Sequence, residues 1–313
     1  MGVNIGREGS LGFGLQASVG TTTAIVKFVP FMECSLGEVH EPIADTQAKG
    51  VRDSQGSNSV IGKKRAEGTV TVVLTAKHAP IFFGLALGSI DSTTVGTLFG
   101  NIHTITRKTG SVPLSATIWR DRSVDKVTFK DSCVNKLDLN FSDDIAELKT
   151  EVMSKYPVAG TVETPSQETV ELYTFKNAEV VLTSPVGGST SALKIRELSL
   201  NINNNIEAIY APNSNDVDRF VSKNFDVGGS MTVLFEDETQ KNAWTNLTKQ
   251  GVSLVFTGST TGKITIAIPQ FRVQSGKIDT PIDDVNSQTV EFIGEYDGTK
   301  TIDVTIDNDV ASY

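Results

Sequence analysis

Residues 197–236, ELSLNINNNIEAIYAPNSNDVDRFVSKNFDVGGSMTVLFE, predict a strand, a long polar connection and a second strand. In ELSLNIN, at the start, polar side chains alternate with Leu and Ile, which is the pattern of a strand with one wetted and one buried face. SMTVLFE, at the end, alternates in the same way. The connection exceeds twenty residues, a length more typical of a binding or assembly loop than of a hairpin turn.

The same pattern occurs in the first half of the chain. ECSLGE at residues 33–38 matches ELSLNI at residues 197–202, and GTVTVVL at residues 68–74 matches GSMTVLF at residues 229–235. A helix is predicted after the second match in each half, near residues 80–87 and within DETQKNAWTNLTKQG at residues 237–251. Each half therefore predicts strand, long loop, strand and helix, and we interpret the sequence as a duplication.

The duplication sets the predicted domain boundaries within a mainly β chain. We predict an arm at residues 1–27, a first domain at 28–157, a linker rich in Gly, Pro and polar residues at 158–168, a second domain at 169–298 and an arm at 299–313. Residues 89–112 have no counterpart in the second copy and are interpreted as an insertion. Two copies per chain favour a ring of three chains with pseudo-sixfold symmetry.

Composition restricts the functional classes. The 313 residues include 37 acidic and 28 basic side chains, for a formal charge of −9, which argues against a groove that binds nucleic acid through Lys and Arg. No apolar run approaches the roughly 20 residues of a membrane-spanning helix. Cys34 and Cys133 are the only cysteines. A disulfide between them is possible, but buried thiols are the favoured interpretation.

No arrangement of residues indicates a cofactor, a metal site or catalysis. His40, His78 and His103 lack partners at metal-ligand spacing. Two Asp-Asp pairs, at residues 143–144 and 283–284, fit turns, with weak Ca²⁺ binding as the alternative. The basic segment GKKRA at residues 62–66 is interpreted as solvated or as a contact for an acidic surface. Trp244 is predicted to anchor the core of the second copy, beside Ala243 and Leu247.

The tandem pattern, with ELSLNINNNIEAIY followed by VGGSMTVLFEDE and a polar C-terminal arm, resembles the major tail tube proteins of long-tailed bacteriophages. The resemblance is strongest over residues 192–298. It implies two tandem β-sandwich or barrel-like domains, each flanked by a short helix, whose inner sheets join between subunits into one barrel around a channel. Rings would stack into a tube through which the genome passes, without catalysis or cofactors.

The resemblance also implies the location and the partners. The protein would assemble in the host cytoplasm and reside in the virion tail. Its partners would be other copies of itself and the tape measure, tail tip and tail terminator proteins, and double-stranded DNA would pass without specific binding. The inner tube of a contractile tail or injection machine is an open alternative. A receptor- or carbohydrate-binding β module is another, although the 7% of aromatic residues gives it little support.

Within that framework, polar strand faces should line the channel, and apolar faces should pack against an outer sheet and helix. A net negative lining would let a polyanion slide without binding. The predicted lining residues are Glu33, Ser35, Thr69, Thr71, Lys136, Asp138, Asn140, Glu197, Ser199, Asn201, Ser230, Thr232 and Glu291.

The long loops, at residues 40–66 and 204–227, are predicted to reach a neighbouring subunit or the next ring, and ordinary surface loops are the alternative. The terminal arms should add contacts between rings. The loop residues predicted to make contacts are Asp53, Lys63, Lys64, Arg65, Asn213, Asp216, Asp218 and Arg219.

Overall fold

The structure, a computed structural model, describes residues 8–43, 60–95, 99–123, 125–142, 144–260, 262–279 and 285–313. As predicted, the fold is mainly β, and two short α-helices lie within the described residues. Every ladder between the named strands is antiparallel.

The elements of the first half are β1 (Ser10–Leu15), β2 (Lys27–Phe28), β3 (Glu33–Cys34), β4 (Gly37–Ile43), β5 (Val60–Val73), α1 (Ala79–Leu87), β6 (Asp91–Thr94), β7 (Asn101–Thr106), β8 (Ala116–Asp121), β9 (Lys126–Phe141), β10 (Glu147–Ser154) and β11 (Val158–Ala159). Those of the second half are β12 (Ala178–Ser184), β13 (Ser189–Ala192), β14 (Ile195–Asn203), β15 (Ile206–Tyr210), β16 (Val217–Ser222), β17 (Asp226–Leu234), α2 (Thr239–Thr245), β18 (Gln250–Thr257), β19 (Gly262–Asp279), β20 (Ser287–Gly294) and β21 (Asp303–Asn308).

The two halves have the same strand order. In the first half the neighbours are β1, β8, β9, β10 and β5, and then β3 and β4 together. In the second half they are β12, β18, β19, β20, β17 and β14. Residues 33–38 and 197–202, which match in sequence, therefore occupy the same place in the two halves.

Two long strands, β9 and β19, belong to two layers. The N-terminal part of β9 pairs with β8, and its C-terminal part pairs with β10. Likewise, β19 pairs first with β18 and then with β20. Both strands contain a bulge at the matching position, at Asn135 between Val134 and Lys136 and at Gln274 between Val273 and Ser275.

The two halves are joined edge to edge by β9 and β14. Leu200 of β14 lies opposite Leu139 of β9, and Asn201 lies opposite Asp138. Just beyond β14, the buried Asn204 side chain donates to the carbonyls of Ala86, at 2.7 Å, and Val134, at 3.0 Å. The strands on both sides of this joint therefore form one continuous sheet, and its two layers enclose the core.

Among the described residues, the main core is one cluster that includes residues from both halves, and a smaller cluster lies beneath β15–β16. Phe256 of β18 packs edge-on against Phe141 of β9, with ring centroids 5.3 Å apart, and lies 5.8 Å from the ring of Tyr173. The short helix α1 is completely buried; Pro80 lies in its first turn, and Gly88 ends it with φ +98°. Burial in one cluster ties the two predicted domains together.

Segments outside the repeat also contribute strands. β1 lies within the predicted N-terminal arm, but it pairs with β2 and β8 and buries Leu11 and Phe13. Within the predicted C-terminal arm, β21 lies between β19 and β7 of the predicted insertion. Both segments, predicted to be arms from their polar composition, are therefore held in the fold by backbone hydrogen bonds to other strands. Composition alone does not predict this pairing.

The connection at residues 204–227 was predicted to be a long loop, and this prediction is wrong in form. It contains the hairpin β15–β16, in which Val217 and Phe220 are buried against Cys133 of β9. Burial of these apolar side chains on the first half stabilises the hairpin.

Cys34 and Cys133 are both free thiols, and burial raises the pKa of each.

Candidate functional site

An extended polar surface lies on one face of the joined sheet, formed by β3, β5, β10, β9, β14, β17, β20 and β19 in that order. Residues directly opposite each other on neighbouring strands point to the same side of a sheet. Glu33 lies opposite Thr71, and Asp138 lies opposite Asn201. Ser199 lies opposite Ser230. We call this surface the polar face.

The structure brings all the predicted lining residues together on the polar face, where they are exposed or half-buried. Most alternate positions of the same strands are buried and apolar, as the sequence pattern predicts, and Thr150 and Gln288 are buried polar exceptions. These buried residues include Val70, Val72, Leu137, Leu139, Leu198, Leu200, Met231, Val233, Val290 and Phe292.

Sequence reasoning missed several members of the polar face. Glu147, Lys149 and Glu151 of β10 lie opposite Asn140, Asp138 and Lys136 of β9. The alternation in ELKTEVMS is the signal that could have identified them. Further members found through the register are Glu67, Asn203, Asp226, Ser275, Lys277 and Thr289.

Acidic side chains outnumber basic ones on the polar face. Several charges are paired across it: Lys136 Nζ lies 3.0 Å from an Asp138 carboxylate oxygen, and Asn201 donates to the same carboxylate. The acidic members are Glu33, Glu67, Asp138, Glu147, Glu151, Glu197, Asp226 and Glu291, and the basic members are Arg65, Lys136, Lys149, Arg272 and Lys277.

The two sets of predicted loop contacts lie next to each other in the same chain. Lys64 Nζ is 3.2 Å from an Asp216 carboxylate oxygen, and its backbone N–H donates to Asn215 O at 2.9 Å. The Lys63 ammonium lies 4.9 Å from the centre of the Tyr210 ring. The base of the β4–β5 hairpin is thereby attached to the β15–β16 hairpin.

Arg65 is held by acidic neighbours and contributes to the same attachment. Its guanidinium contacts Glu67 at 2.8 Å, Glu41 at 2.6 Å and the Tyr210 hydroxyl at 3.5 Å. Hydrogen bonds to these groups raise the pKa of Arg65, and the bond from Arg65 lowers the pKa of Glu41. GKKRA therefore contacts acidic side chains of its own chain.

The remaining loop candidates lie towards the tip of the β15–β16 hairpin. Asn213 adopts a left-handed backbone with φ +65°, and Arg219 pairs with the neighbouring Asp218 at 2.8 Å. All three residues are exposed. Asp53 lies outside the described residues, as do Asp143, Asp283 and Asp284 of the two Asp-Asp pairs.

The joined sheet ends in two edges. At one end, β3 and β4 pair with β5 and with no other described strand. At the other end, residues 272–279 of β19 pair with β20, and no described strand lies on their far side. The matching part of β9 has β10 on one side and β14 on the other. We call these two places the β3–β4 edge and the β19 edge.

Trp244 was predicted to anchor the core, and this prediction is wrong. Its side chain is 44% exposed at the end of α2, whereas Ala243 is buried and Leu247 is 61% exposed. The indole Nε1–H donates to the carbonyl of Gln274 on the β19 edge at 3.1 Å. This helix of only seven residues has one buried side, which Gln240 and Ala243 occupy.

The other chemistry-bearing residues have structural partners. The ring of His103 is hydrogen-bonded to Ser92 at 2.8 Å and to Asn308 at 2.9 Å, and it packs edge-on against Tyr313. Burial lowers the pKa of His78 to about 4, and its Nδ1 is 3.1 Å from the Thr75 hydroxyl. Among the described residues, no group of three or more His, Cys, Asp or Glu side chains could hold a metal ion.

Comparison with protein families identifies this architecture. The family model described as phage tail tube protein matches residues 6–310. The chain belongs to the phage tail tube protein family. The assignment made from the repeated strand pattern is therefore confirmed at the level of the family. A search of curated proteins gives no significant match.

Membership in the tail tube family assigns a structural role and a place in the virion to this protein. The family also implies self-assembly into a tube and contacts with other tail components. In the part of the chain that the structure describes, no helix has the length and apolar character needed to cross a membrane.

Proposed function

We propose that this tail tube protein joins end to end through its two sheet edges into rings of three chains, which stack into the tail tube. Residues 28–157 and 169–298 then act as two tail-tube-like units, and three chains provide six. The observation that supports the proposal is the β9–β14 joint, in which the two halves of one chain already pair edge to edge.

The same strand order in the two halves supplies a register for the contact between chains. In the joint within the chain, Leu200 lies opposite Leu139. In the repeat, Leu36 is the equivalent of Leu200, and Ile278 is the equivalent of Leu139. The β3–β4 edge of one chain would therefore meet the β19 edge of another, with Leu36 opposite Ile278. In the same register, Gly37 lies opposite Lys277.

The backbone alternation supports this register. Ser35 N–H donates to Thr69 O of β5 at 2.9 Å, so the backbone groups of the next residue, Leu36, point towards the open side. The matching residue Leu200 points towards β9 in the joint within the chain, and the Asn204 N–H donates to Asn135 O at 2.8 Å. Closing the ring would leave no unpaired edge in the sheet.

We expect Gly37→Cys and Lys277→Cys together to link chains covalently. Opposite residues on antiparallel strands have Cβ atoms about 4.5–5.5 Å apart, close enough for a disulfide after a small adjustment. In a background with Cys34→Ala and Cys133→Ala, mild oxidation of the assembled protein should give linked dimers and trimers on non-reducing gels. Negative-stain images of the same sample should show rings or tubes.

A matched pair within one chain controls this test. Asn201→Cys and Asp138→Cys occupy the equivalent positions at the internal joint and should form a bond inside the monomer without linking chains. Shifting one partner by two residues, with Gly37→Cys and Ser275→Cys, should reduce linkage strongly. Equal linkage of the shifted and matched pairs would reject the register, and a protein that stays monomeric at high concentration would reject ring formation.

The polar face is the proposed channel lining. Its excess of acidic side chains would repel the phosphate backbone, so duplex DNA could pass without lasting contacts. The hairpin β15–β16 covers Cys133 and Met153 and so borders this face at one end. We place the contact with the adjacent ring at the exposed hairpin residues Asn213, Asp218 and Arg219, with the terminal arms adding to it.

Reversing charge on the polar face is expected to convert the tube into a DNA-binding one. Glu197→Lys and Glu291→Lys together should leave tubes intact and raise their affinity for linear duplex DNA roughly tenfold or more near 50 mM salt, because each added cation can neutralise a phosphate. Binding should weaken steeply towards about 200 mM salt. Fluorescence anisotropy of labelled DNA across a salt series measures this effect.

A control with the same change in net charge uses Glu163→Lys and Glu179→Lys, which lie on the linker and on β12, away from the polar face. Equal gains in DNA affinity for both variants would contradict a channel lining formed by the polar face. The tape measure, tail tip and tail terminator proteins are the proposed partners inside the tube and at its ends.

A further inference from the structure

At the β19 edge, a side chain donates a hydrogen bond to a backbone carbonyl. The equivalent carbonyl at the β9–β14 joint accepts a backbone N–H from the neighbouring strand. Gln274, the bulge residue of β19, accepts the Trp244 indole N–H at 3.1 Å. Asn135, the matching bulge residue of β9, instead accepts the backbone N–H of Asn204 at 2.8 Å. At the open edge, the indole therefore occupies the position that the neighbouring strand fills at the closed joint.

The β3–β4 edge carries a second side-chain donor. Arg120 donates from its guanidinium to the carbonyl of Leu36, the residue whose backbone groups point towards the open side. Arg120 is buried, pairs with Asp125 at 2.9 Å and lies over the Phe129 ring at 5.2 Å. These contacts hold Arg120 in place, and because a carbonyl oxygen has two lone pairs, Leu36 O can keep Arg120 and still accept the Ile278 N–H of a second chain. The half-exposed Trp244, by contrast, can move away from its acceptor.

Unpaired strand edges are templates for uncontrolled pairing, and soluble proteins protect them. A side chain that occupies the place of an incoming strand at an edge carbonyl lowers the gain from adding that strand, because the side chain must first move away and give up its hydrogen bond. The Trp244 side chain also packs against β19 itself, since a Cβ added at Gly276 would lie 3.6 Å from the indole. The indole is thus in contact with the strand that a second chain would approach.

We propose that Trp244 is a removable cap on the β19 edge, displaced when the His40 N–H of a second copy of this chain binds the Gln274 carbonyl. His40 matches Asn204 in the repeat, so it is the residue that the shared register brings to Gln274. The inference rests on the proposed ring formation and adds a control on when it occurs. The cap favours the monomer until the local protein concentration is high.

Removing the indole N–H should make assembly easier. Trp244→Phe keeps an aromatic ring at this exposed position and removes the donor, so we expect tubes to form at a concentration about fivefold lower, the effect of one net hydrogen bond of about 1 kcal/mol. Light scattering over a dilution series measures the threshold. Trp119→Phe is the matched control, because its indole also donates to a backbone carbonyl, Thr161 O at 2.8 Å, away from both edges.

Intrinsic fluorescence gives a second measurement on the unmodified chain. Trp119 is only 1% exposed, so iodide should quench mainly Trp244 in the monomer, and this quenching should change after assembly because the indole leaves the Gln274 carbonyl. Tubes that form with an unchanged threshold for Trp244→Phe, or with unchanged quenching, would overturn the cap alone. Failure of the unmodified protein to form rings or tubes at any concentration would overturn both the cap and the proposed function.

Discussion

Replacing Ile278 by proline is expected to leave the chain folded and to abolish polymerisation. Ile278 lies on the β19 edge opposite Gln288 of β20, and it is only partly buried. Strand alternation points its N–H away from β20, towards the position that a second chain would occupy. Proline is tolerated at such an edge position because it removes only the outward donor.

The proline removes one hydrogen bond from each joint and places its ring against the incoming strand. A loss of about 2 kcal/mol per joint, the cost of a partner left without its hydrogen bond, would raise the concentration needed for assembly roughly thirtyfold, and the clash of the ring adds to this. Sedimentation velocity and negative-stain microscopy measure the outcome. Ile278→Ala is the control, since it shortens the side chain and keeps the N–H, and it should still form tubes.

Normal tubes from Ile278→Pro would exclude the β19 edge as the contact between chains. A variant that unfolds would show instead that the edge residue is needed within the monomer, so circular dichroism of the same sample is required. If the proline variant folds as a monomer and the alanine variant polymerises, loss of the Ile278 side chain does not prevent assembly. The cause is then the missing N–H together with the proline ring.

Replacing Phe256 by alanine is expected to destabilise both halves of the chain together. Phe256 is completely buried and contacts Phe141 of the first half and Tyr173, which precedes β12 in the second half. Loss of a buried Phe side chain costs about 3–5 kcal/mol, the combined effect of lost burial and the cavity that remains. Urea unfolding monitored by tryptophan fluorescence and by circular dichroism measures this loss.

Because one core cluster includes both halves, we expect the two probes to give a single transition, displaced as a whole by Phe256→Ala. Phe256→Leu is the matched control and should cost less, since most of the buried volume is kept. Two separate transitions, of which Phe256→Ala displaces only one, would indicate that the halves unfold independently. The joint would then be a contact between separate cores.

The alternation of polar and apolar residues was sufficient to predict most of the polar face. Glu197, Ser199 and Asn201 are exposed or half-buried while Leu198 and Leu200 are buried, because successive side chains of a strand point to opposite sides. The match between the two halves also predicted which strands are equivalent. A period of two and a repeat are local properties of the sequence, so they can be read without knowledge of the fold.

The positions of the loop candidates could not be predicted in this way. Lys64 and Asp216 are more than 150 residues apart in the sequence, yet they form an ion pair because the β9–β14 joint brings the two hairpins together. Trp244 was misplaced for a similar reason. Whether an aromatic residue on a seven-residue helix faces the core or a sheet edge depends on the helix orientation, which distant strands determine.

The sequence by itself determined that this protein is mainly β, that its pattern is repeated, that its strands have one polar and one apolar face, and that it resembles tail tube proteins. Only the tertiary structure decided that the two halves share one sheet and one core, that the predicted arms contribute β1 and β21, and that the sheet ends in two edges. The physical reason is that strand pairing satisfies backbone groups through long-range contacts, and any strand with suitable alternation can take part.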